Sequence, residues 1–481
     1  MKNIIQTVKS FNEKSIKLIS SNKARKFIVG LFVIQAVVVA LSVRVGYPPD
    51  ELYHIRFIEY LANNGPSPFT GAQKNAFYLG DISRIPEYLY QYIMSFIYRA
   101  TPFSTYNTYM AFRFISVGLS AATLLMLARL GDRLKIPTSV TNFSLLILSN
   151  SAQFLFLSAS INSDLLVWFL VASSLCVLVD FINNRSLKTL FFLAGIVTFG
   201  MVTKRTFMPI GFMIALAAAI KAFTLRETLF KQLKKPDVYL LLSIGFFVVG
   251  FGLFAERVGV NLIKYQQIKP TCMDLHTKDE CIQNGVERRN FNIKQAGIED
   301  THSYNILEYG FGWSYLTVSK LVGTQGWTVG ATPPAVLTLT VLLMSAIGLF
   351  GSFIEAKAKT KDKQKLIRLI MYFGSLAFII YNFWFNYQVY QRSHLPGLAL
   401  QGRYILPLAT IFLLLSCYYI HKHVIKHSSV RRVSALLLLA LVLYGSGLHL
   451  ILTKGNYTDN VFRPKIIFDR DNLISEYEPS I

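Results

Sequence analysis

The sequence predicts an all-α protein, a polytopic bundle of transmembrane helices. The chain has 481 residues, of which 53% are hydrophobic and 14% aromatic, and its mean hydropathy is +0.41. This composition is too apolar for a soluble protein of this size and is typical of a chain that crosses a membrane many times. The first apolar run, residues 27–45, can cross a bilayer at about 1.5 Å per residue. Because no small-x-small cleavage site follows it, we expect a transmembrane span rather than a signal peptide.

The apolar runs predict about eleven spans in one transmembrane domain at 27–452. The runs begin near Phe27, Thr108, Thr138, Leu165, Leu190, Phe207, Asp237, Thr332, Leu366, Tyr404 and Val433. Segments 52–63 and 85–99 mix apolar and charged residues, and this pattern predicts helices that lie in the membrane interface within the first external loop. A basic tail at 1–26 precedes the domain and a tail at 453–481 follows it.

The distribution of basic residues predicts the orientation. The formal net charge is +23, and the Lys and Arg residues are concentrated in the N-terminal tail and in short loops near 221–235, 357–368 and 422–432. With eleven spans these clusters share one side, which the positive-inside rule makes the cytoplasm. The external side then carries the C-terminal tail and the loops at about 46–107, 257–331 and 388–403. We therefore expect a multi-pass protein of a bacterial plasma (inner) membrane, which contacts membrane lipids and no nucleic acid.

The cysteines agree with this orientation. Cys272 and Cys281 lie nine positions apart in a polar part of the long external loop. Outside the cytoplasm this spacing predicts a disulfide-closed hairpin. A zinc site that includes His276 is the alternative, although a fourth ligand is missing. The other two cysteines fall inside spans, where packing is the simplest reading.

A pair of carboxylates follows the first span directly. Segment 47–54 reads YPPDELYH, so that Asp50 and Glu51 lie where the chain leaves the membrane on its external side, and His54 lies on the helix that begins there. Carboxylates at this depth are costly unless they have a partner or a task. They are candidate catalytic residues. The alternative is an ordinary acidic loop whose prolines end a helix.

Four basic residues occupy the same external side. Arg113 lies about one turn inside the second span, where a charge must face a polar cavity or a partner. Lys204 and Arg205 stand in a short external loop against the positive-inside trend, which indicates an anionic ligand, with snorkelling to lipid phosphates as the alternative. Arg403 follows a glycine at the mouth of a late span, where a guanidinium can hold a phosphate with two hydrogen bonds.

Four cations with two carboxylates match the needs of transfer from a phosphate-linked donor. The cations neutralise the leaving phosphate, while a carboxylate takes the proton of the acceptor. No P-loop, GxGxxG, GxSxG or HExxH pattern suggests different chemistry. Glycines beside Trp313 and Trp327 predict turns that expose an indole for sugar stacking, with membrane anchoring as the alternative.

These residues resemble the GT-C superfamily of polytopic membrane glycosyltransferases, and are most similar to a bacterial branch of unknown function. The branch has a PPDExxH motif after span one, NxD after span three, Lys after span five, GxxGW in the large loop and QGRY before a late span. In this chain the motifs cover Pro48 to His54, Asn162 with Asp164, Lys204, Gly323 to Trp327, and Gln401 to Tyr404. The resemblance extends from about residue 27 to about residue 420.

The resemblance implies a fold and roles for the residues. It implies a GT-C type helical bundle, with Asp50 as the catalytic base and Glu51 assisting by a hydrogen bond to the acceptor or by holding a divalent metal (Mg²⁺ or Mn²⁺). Neither metal nor cofactor is required by the motifs. The resemblance also implies that Lys204 and Arg403 bind the phosphate of the donor, and from their positions we expect Arg205 and Arg113 to bind it as well. Substrate would be contacted by His54, Asn162, Asp164, Trp327, Gln401 and Tyr404.

The function expected from the sequence is sugar transfer on the external face. A polyprenyl-phosphate-linked hexose or pentose would pass to a cell-surface glycan or glycolipid acceptor, with inversion at the anomeric carbon, in cell-envelope polysaccharide biosynthesis. One alternative is a transporter or flippase of a lipid-linked sugar. Against it, the sequence shows neither internal repeats nor interrupted mid-membrane helices. A ligase or polymerase that uses an oligosaccharide on a diphosphate carrier is the other alternative, and it would use much of the same set of cations.

Overall fold

The computed structural model describes residues 20–63, 84–101, 105–282, 304–324, 332–360, 362–395, 400–425 and 428–454. Within these ranges the secondary structure is helical, with no strand, which confirms the predicted all-α class. The first half of the bundle consists of α1 (Asn22–Ser42), α2 (Glu51–Asn63), α3 (Leu89–Ala100), α4 (Thr105–Arg133), α5 (Thr138–Ser149), α6 (Ala152–Ser158), α7 (Asp164–Asn184), α8 (Leu187–Met201), α9 (Phe207–Thr224) and α10 (Arg226–Leu233).

The second half begins with a long helix that contains a π-helical turn. It consists of α11 (Val238–Phe254), the π turn Ala255–Gly259, α12 (Val260–Tyr265), α13 (Cys272–Leu275), α14 (Lys278–Ile282), α15 (Ile306–Val322), α16 (Ala335–Lys357), α17 (Lys365–Ser393), the 3₁₀ turn Gly402–Tyr404, α18 (Leu406–Tyr419), a second π turn Ile420–Val424, α19 (Ser428–Gly445) and α20 (Gly447–Lys454).

Eight helices of the described chain are long and apolar enough to cross a membrane, and a ninth span results if the bent pair α5–α6 is counted as one. Two of the predicted spans correspond to α8, which has 15 residues, and to α18, whose 14 residues continue directly into the second π turn at Ile420–Val424. A crossing needs about 20 residues, so α8 is too short to cross by itself. The two predicted interfacial segments form α2 and α3.

The pattern of burial on α1 shows how a span meets both protein and lipid. Ile28, Phe32, Ala36 and Val39 recur every three or four residues and are buried in the main core. On the other side of the helix, Phe27 is 70% exposed, and Ile34, Val38 and Leu41 are also exposed. Apolar side chains are exposed in this way when the surrounding solvent is hydrocarbon. The most interior span is α7, where Trp168 stacks on Phe154 of α6 at 5.1 Å between ring centroids.

The α5–α6 pair bends by 70° at Asn150 and Ser151. Polar contacts replace the helical hydrogen bonds that the bend interrupts, as they must inside a membrane. The Ser446 hydroxyl accepts from the N–H of Ala152 at 2.8 Å, and the Ser151 hydroxyl donates to the carbonyl of Leu321 at 2.7 Å. The continuous apolar run beginning near Thr138 had predicted an unbroken span.

Ion pairs between helix ends define two ends of the bundle. At the end where α1 begins, Arg25 pairs with Asp132 of α4 at 2.8 Å, and Arg133 pairs with Asp180 of α7 at 2.7 Å. We call this the basic end, and the opposite end, where α1 ends at Ser42, the site end. Glu355 of α16 is fully buried and lies 2.9 Å from Lys422 and 3.2 Å from Arg368. These contacts hold α16, α17 and the second π turn together.

Candidate functional site

The segment between α1 and α2 places two neighbouring carboxylates in different surroundings. Asp50 has a φ of 63°, in the left-handed region that aspartate enters more readily than most residues. Its carbonyl accepts the N–H of His54 at 2.9 Å and so begins α2. As a result, the Asp50 side chain is 29% exposed whereas that of Glu51 is fully buried. The two carboxylates predicted as a catalytic pair therefore have different partners.

Glu51 and Arg113 form a buried ion pair, here called the clamp. The Arg113 side chain donates to both carboxylate oxygens, at 2.9 and 2.7 Å. The backbone N–H groups of Gly46 and Ile161 donate to the same carboxylate at 2.8 and 2.9 Å. The remaining guanidinium hydrogens go to carbonyls at the end of α1, among them that of Val43 at 2.6 Å. The clamp fastens the end of α1 to the start of α2.

The clamp changes the interpretation of two predicted site residues. Glu51 already accepts four hydrogen bonds, and Arg113 is fully buried among its partners. Neither the predicted assistance to catalysis by Glu51 nor the predicted phosphate contact of Arg113 fits these surroundings. A buried charge is stable only with a partner of opposite charge. The ion pair between Glu51 and Arg113 therefore explains both buried charges without a substrate.

Asn162, a predicted substrate contact, also has a positioning role. Its amide donates to the carbonyl of Pro49 at 3.1 Å, and its side-chain oxygen accepts the N–H of Asp164 at 2.9 Å. It thus ties the start of α7 to the residue before Asp50. Through this contact, Asp50 and Asp164 are held at the same end of the bundle.

Four charged side chains alternate in sign at the site end, and we call them the ionic chain. Asp50 accepts from Arg403 at 2.6 Å. Arg403 in turn lies 3.9 Å from Asp164, and Asp164 lies 2.7 Å from Lys204. Arg403 and Asp164 are almost inaccessible, whereas Lys204 is 15% exposed. The structure therefore brings together four of the predicted site residues from four separate parts of the sequence.

Gln401 and Tyr404, both predicted substrate contacts, flank Arg403. The Gln401 side chain accepts a hydrogen bond from the Arg403 guanidinium. The Tyr404 ring lies 5.3 Å from that guanidinium and 5.9 Å from the Lys204 ammonium group. At these distances the face of the ring stabilises both cations. The Gln-Gly-Arg-Tyr segment thus orients the two cations of the ionic chain.

His54 lies beside the ionic chain and has a partner that the sequence did not indicate. Its Nδ1 is 2.8 Å from the side-chain nitrogen of Gln91, on α3. Since an amide nitrogen can only donate, Nδ1 accepts, and the proton of the neutral ring is on Nε2. Among the described residues, neither that buried Nε2 nor one buried carboxylate oxygen of Asp164 has a hydrogen-bond partner. The site thus offers an unused donor and an unused acceptor.

Burial and the charges of the ionic chain set the ionisation states of Asp50, His54 and Arg403. Burial raises the pKa of Asp50, but the charges of Arg403 and Lys204 outweigh this effect and hold the pKa below its usual value. Burial lowers the pKa of His54 to about 4, so the imidazole is neutral at pH 7. For Arg403, burial lowers the pKa, and the nearby carboxylate of Asp50 more than reverses this. Asp50 is therefore an ionised carboxylate near neutral pH.

Four further predictions concern residues outside the ionic chain. Arg205 is 53% exposed and pairs with Glu87 at 2.6 Å, so it stands outside the ionic chain. Trp313 is buried in α15 against Phe383, 5.4 Å between ring centroids, so its predicted exposure is wrong. Trp327 lies outside the described residues. Cys272 and Cys281 form a disulfide, with Cα atoms 5.7 Å apart.

The surroundings of the carboxylates do not suit a metal ion. Within the part of the chain described, no three His, Cys, Asp or Glu side chains come together in a way that could hold one. Asp50 and Glu51, the predicted ligands, are engaged by Arg403 and Arg113 respectively. A divalent ion here would have to displace bonded cations, and Mg²⁺ also keeps strict octahedral oxygen coordination.

Gly402 allows the turn that carries Arg403 to touch α15. A Cβ at this position would lie 2.7 Å from the carbonyl oxygen of Thr317 and 2.7 Å from the backbone nitrogen of Leu321. We expect Gly402→Ala to displace the turn and to cost about 1–3 kcal/mol of stability, as overpacking does. Thermal unfolding in detergent measures the loss. The control is Gly312→Ala on α15, which meets no atom within 4 Å. Equal unfolding temperatures for the two variants would contradict the close approach.

Comparison with solved structures finds similarity to the oligosaccharyltransferase AglB of Archaeoglobus fulgidus. In complex with an inhibitory peptide and a dolichol-phosphate, it matches at 13% identity and a TM-score of 0.42, covering 89% of this chain and 57% of that chain. The same enzyme tethered with an acceptor peptide containing the NVT sequon matches at 13% identity and a TM-score of 0.45, covering 90% of this chain and 55% of that chain. In complex with Zn and sulfate, the enzyme matches at 13% identity and a TM-score of 0.40, covering 86% of this chain and 53% of that chain.

The chain therefore spans little more than half the length of these structures. No family model matches the chain, and no curated protein matches it. The identity of 13% and TM-scores below 0.5 support no transfer of activity, substrate or metal from the archaeal enzyme. Conclusions about function rest on the contacts of this chain.

Proposed function

We propose that this protein is an integral membrane glycosyltransferase that moves a sugar from a polyprenyl-phosphate donor to a glycan or glycolipid acceptor. The observation that carries the proposal is the ionic chain, in which Asp50 is the partly exposed carboxylate and Lys204 and Arg403 are the cations. In the proposed orientation the N-terminus is cytoplasmic, and the site end faces the outside of a bacterial plasma membrane, where lipid-linked sugars and acceptors can meet.

The ionic chain suits a phosphate because the counter-charges of Arg403 and Lys204 are carboxylates, whose place a phosphate can take. A phosphate oxygen that approaches Arg403 and Lys204 can take over hydrogen bonds that Asp50 and Asp164 now accept, at 2.6 and 2.7 Å. Arginine holds a phosphate with two parallel hydrogen bonds, and lysine adds a point charge. Donor binding would thus release Asp50 from Arg403. The pKa of Asp50 would then rise, which makes the carboxylate a stronger base.

The proposed reaction is a single displacement. Asp50 accepts the proton of the acceptor hydroxyl while the hydroxyl oxygen attacks the anomeric carbon of the donor. The bond from that carbon to the phosphate oxygen breaks, and polyprenyl phosphate leaves with the bonding electron pair. Arg403 and Lys204 stabilise the charge that develops on the phosphate, and the anomeric carbon is inverted. We expect sugar hydroxyls to reach the buried Nε2–H of His54 and the second oxygen of Asp164 once the donor phosphate has separated the members of the ionic chain.

The test is transfer from a panel of radiolabelled polyprenyl-phosphate sugars by the purified full-length protein in nanodiscs, with membrane glycolipids as acceptors. We expect release of polyprenyl phosphate and a labelled product for one donor class. Lys204→Met should weaken donor binding at least about tenfold, the loss of one charge-assisted contact, and the exposed Lys231→Met at the basic end is the control. Binding of a donor without turnover would favour a flippase, and turnover only with diphosphate carriers a ligase or polymerase.

A chelator should leave the activity nearly unchanged. Because Arg403 and Lys204 supply the positive charge at the phosphate, we expect excess EDTA to alter transfer by less than about twofold, whereas removing a catalytic metal costs several kcal/mol. Initial rates with EDTA, and with EDTA followed by excess Mg²⁺ or Mn²⁺, measure this. A large loss that either metal restores would show that a divalent ion takes part.

A further inference from the structure

A cleft opens between two pairs of helices, and its polar side lies at the basic end of the bundle. It has a volume of about 700 Å³, within the usual range for ligand sites, and lies between α4 and α7 on one side and α8 and α11 on the other. Its residues on α7 recur every three to four positions, from Phe169 to Asn184, so that one stripe of the helix lines it. None of these residues belongs to the proposed transferase site.

The cleft is polar at one end and apolar at the other. Its polar end contains Arg129, Asp180 and Lys188, at the basic end of the bundle. Toward the middle of the bundle the walls are Phe169, Ile196 and Phe246. At about 1.5 Å per residue the stripe on α7 is about 22 Å long, enough to pass the headgroup region and reach the centre of a hydrocarbon core about 30 Å thick. The change from a polar end to apolar walls matches the headgroup and acyl chains of one lipid molecule in one leaflet.

The polar end carries an excess of positive charge. Asp180 is held by Arg133 at 2.7 Å, whereas Arg129 lies 4.0 Å away and is 54% exposed. Lys188 pairs with Asp237 at 3.2 Å, with both side chains about half exposed. Three cations thus face two carboxylates, and exposed pairs of this kind contribute about 0–1 kcal/mol each. A phosphate can therefore compete for Arg129 and Lys188.

We propose that the cleft binds one anionic glycerophospholipid of the leaflet at the basic end. The phosphate contacts Arg129 and Lys188, and an acyl chain lies along α7 between Phe169 and Phe246. The lipid fills the space that the packing of α8 on α7 leaves open beside α4 and α11. This inference does not depend on the proposed transferase activity.

The experiment is native mass spectrometry of the delipidated full-length protein with phosphatidylglycerol or phosphatidylcholine of identical acyl chains. We expect one phosphatidylglycerol to be retained at least about fivefold more strongly than phosphatidylcholine, a modest electrostatic preference. Arg129→Gln/Lys188→Gln should abolish the preference. The control, Arg226→Gln/Lys231→Gln, removes two exposed cations from α10 at the same end of the bundle and should keep it.

A second variant tests the apolar half separately. Val177 lines the cleft on α7 and is partly exposed, so Val177→Trp should fill the space with little effect on folding. We expect it to lose the tightly held lipid while its unfolding temperature in lipid-free detergent stays that of the wild type. Equal retention of both lipids by the wild type, or unchanged retention in both cleft variants, would overturn the proposal. Displacement of the lipid by inorganic phosphate alone would also overturn it, by assigning the cations to a soluble anion.

Discussion

Asp50→Asn is expected to reduce sugar transfer by about 10²–10⁴-fold, the usual contribution of a general base, while the protein still folds and binds its donor. The carboxylate accepts from Arg403 at 2.6 Å and is the more exposed of the two neighbouring acids. An amide keeps an oxygen for Arg403 but cannot take the acceptor proton. The loss should therefore appear in kcat rather than in the binding of the donor.

Asparagine is the right replacement because of the backbone at this position. Asp50 has a φ of 63°, and asparagine shares with aspartate the tolerance for left-handed conformations. Alanine would add strain to the start of α2 and confuse catalysis with folding. The Asp50→Asn variant should therefore keep α2 and the clamp in place, and Arg403 keeps Asp164 as a counter-charge at 3.9 Å. The unfolding temperature of the variant measures how much stability the lost charge of Asp50 contributes.

The matched control for this variant is Asp237→Asn at the basic end. Asp237 caps α11 by accepting the N–H of Leu240 at 2.7 Å, and asparagine caps equally well. Transfer by this control should equal that of the wild type. Full activity in Asp50→Asn would remove the base assignment, and loss of donor binding together with activity would show instead that Asp50 positions Arg403 for the phosphate.

Part of the site could be predicted because its signals are violations of membrane rules. Lys204 stands against the positive-inside trend, and Arg403 lies at the mouth of a span; the structure places both in one chain of charges with Asp50. From the sequence, the ionic chain and the clamp look alike, because both consist of charged residues at depths where lipid or a protein core disfavours a charge. The distinction depends on which carbonyls end α1 and where the N–H of Ile161 points, and these are tertiary contacts.

The rest of the site depends on contacts that leave little trace in the sequence. Gln91 is one polar residue of an amphipathic helix, and only the packing of α3 on α2 brings it to His54. Likewise, the bend between α5 and α6 occurs in an apolar stretch, and its polar partners come from α15 and the α19–α20 junction. Trp313 follows a glycine that suggested a turn, but its neighbours continue the helix α15, which has an Asn305 cap.

Breaking the clamp is expected to have the largest effect on stability. Glu51→Gln leaves the fully buried Arg113 without a counter-charge, and Arg113→Met leaves the fully buried Glu51 carboxylate without one. Removing one partner of a buried pair costs about 3–5 kcal/mol, and much of that penalty should be absent when both are replaced. We therefore expect each single variant to unfold at markedly lower denaturant, and Glu51→Gln/Arg113→Met to lose clearly less than the sum. Unfolding in detergent micelles against SDS measures all three.

The control is the ion pair of Lys188 and Asp237, because both of its side chains are about half exposed to solvent. Lys188→Gln and Asp237→Asn should each leave the unfolding midpoint close to that of the wild type, since exposed pairs contribute little to stability. The clamp variants also separate the two interpretations of Glu51 and Arg113. If Glu51→Gln were as stable as the wild type yet bound or transferred the donor poorly, both residues would belong to the substrate site, as the sequence had predicted. A loss of stability with normal donor binding in the folded fraction would identify them as the fastening of α1 to α2.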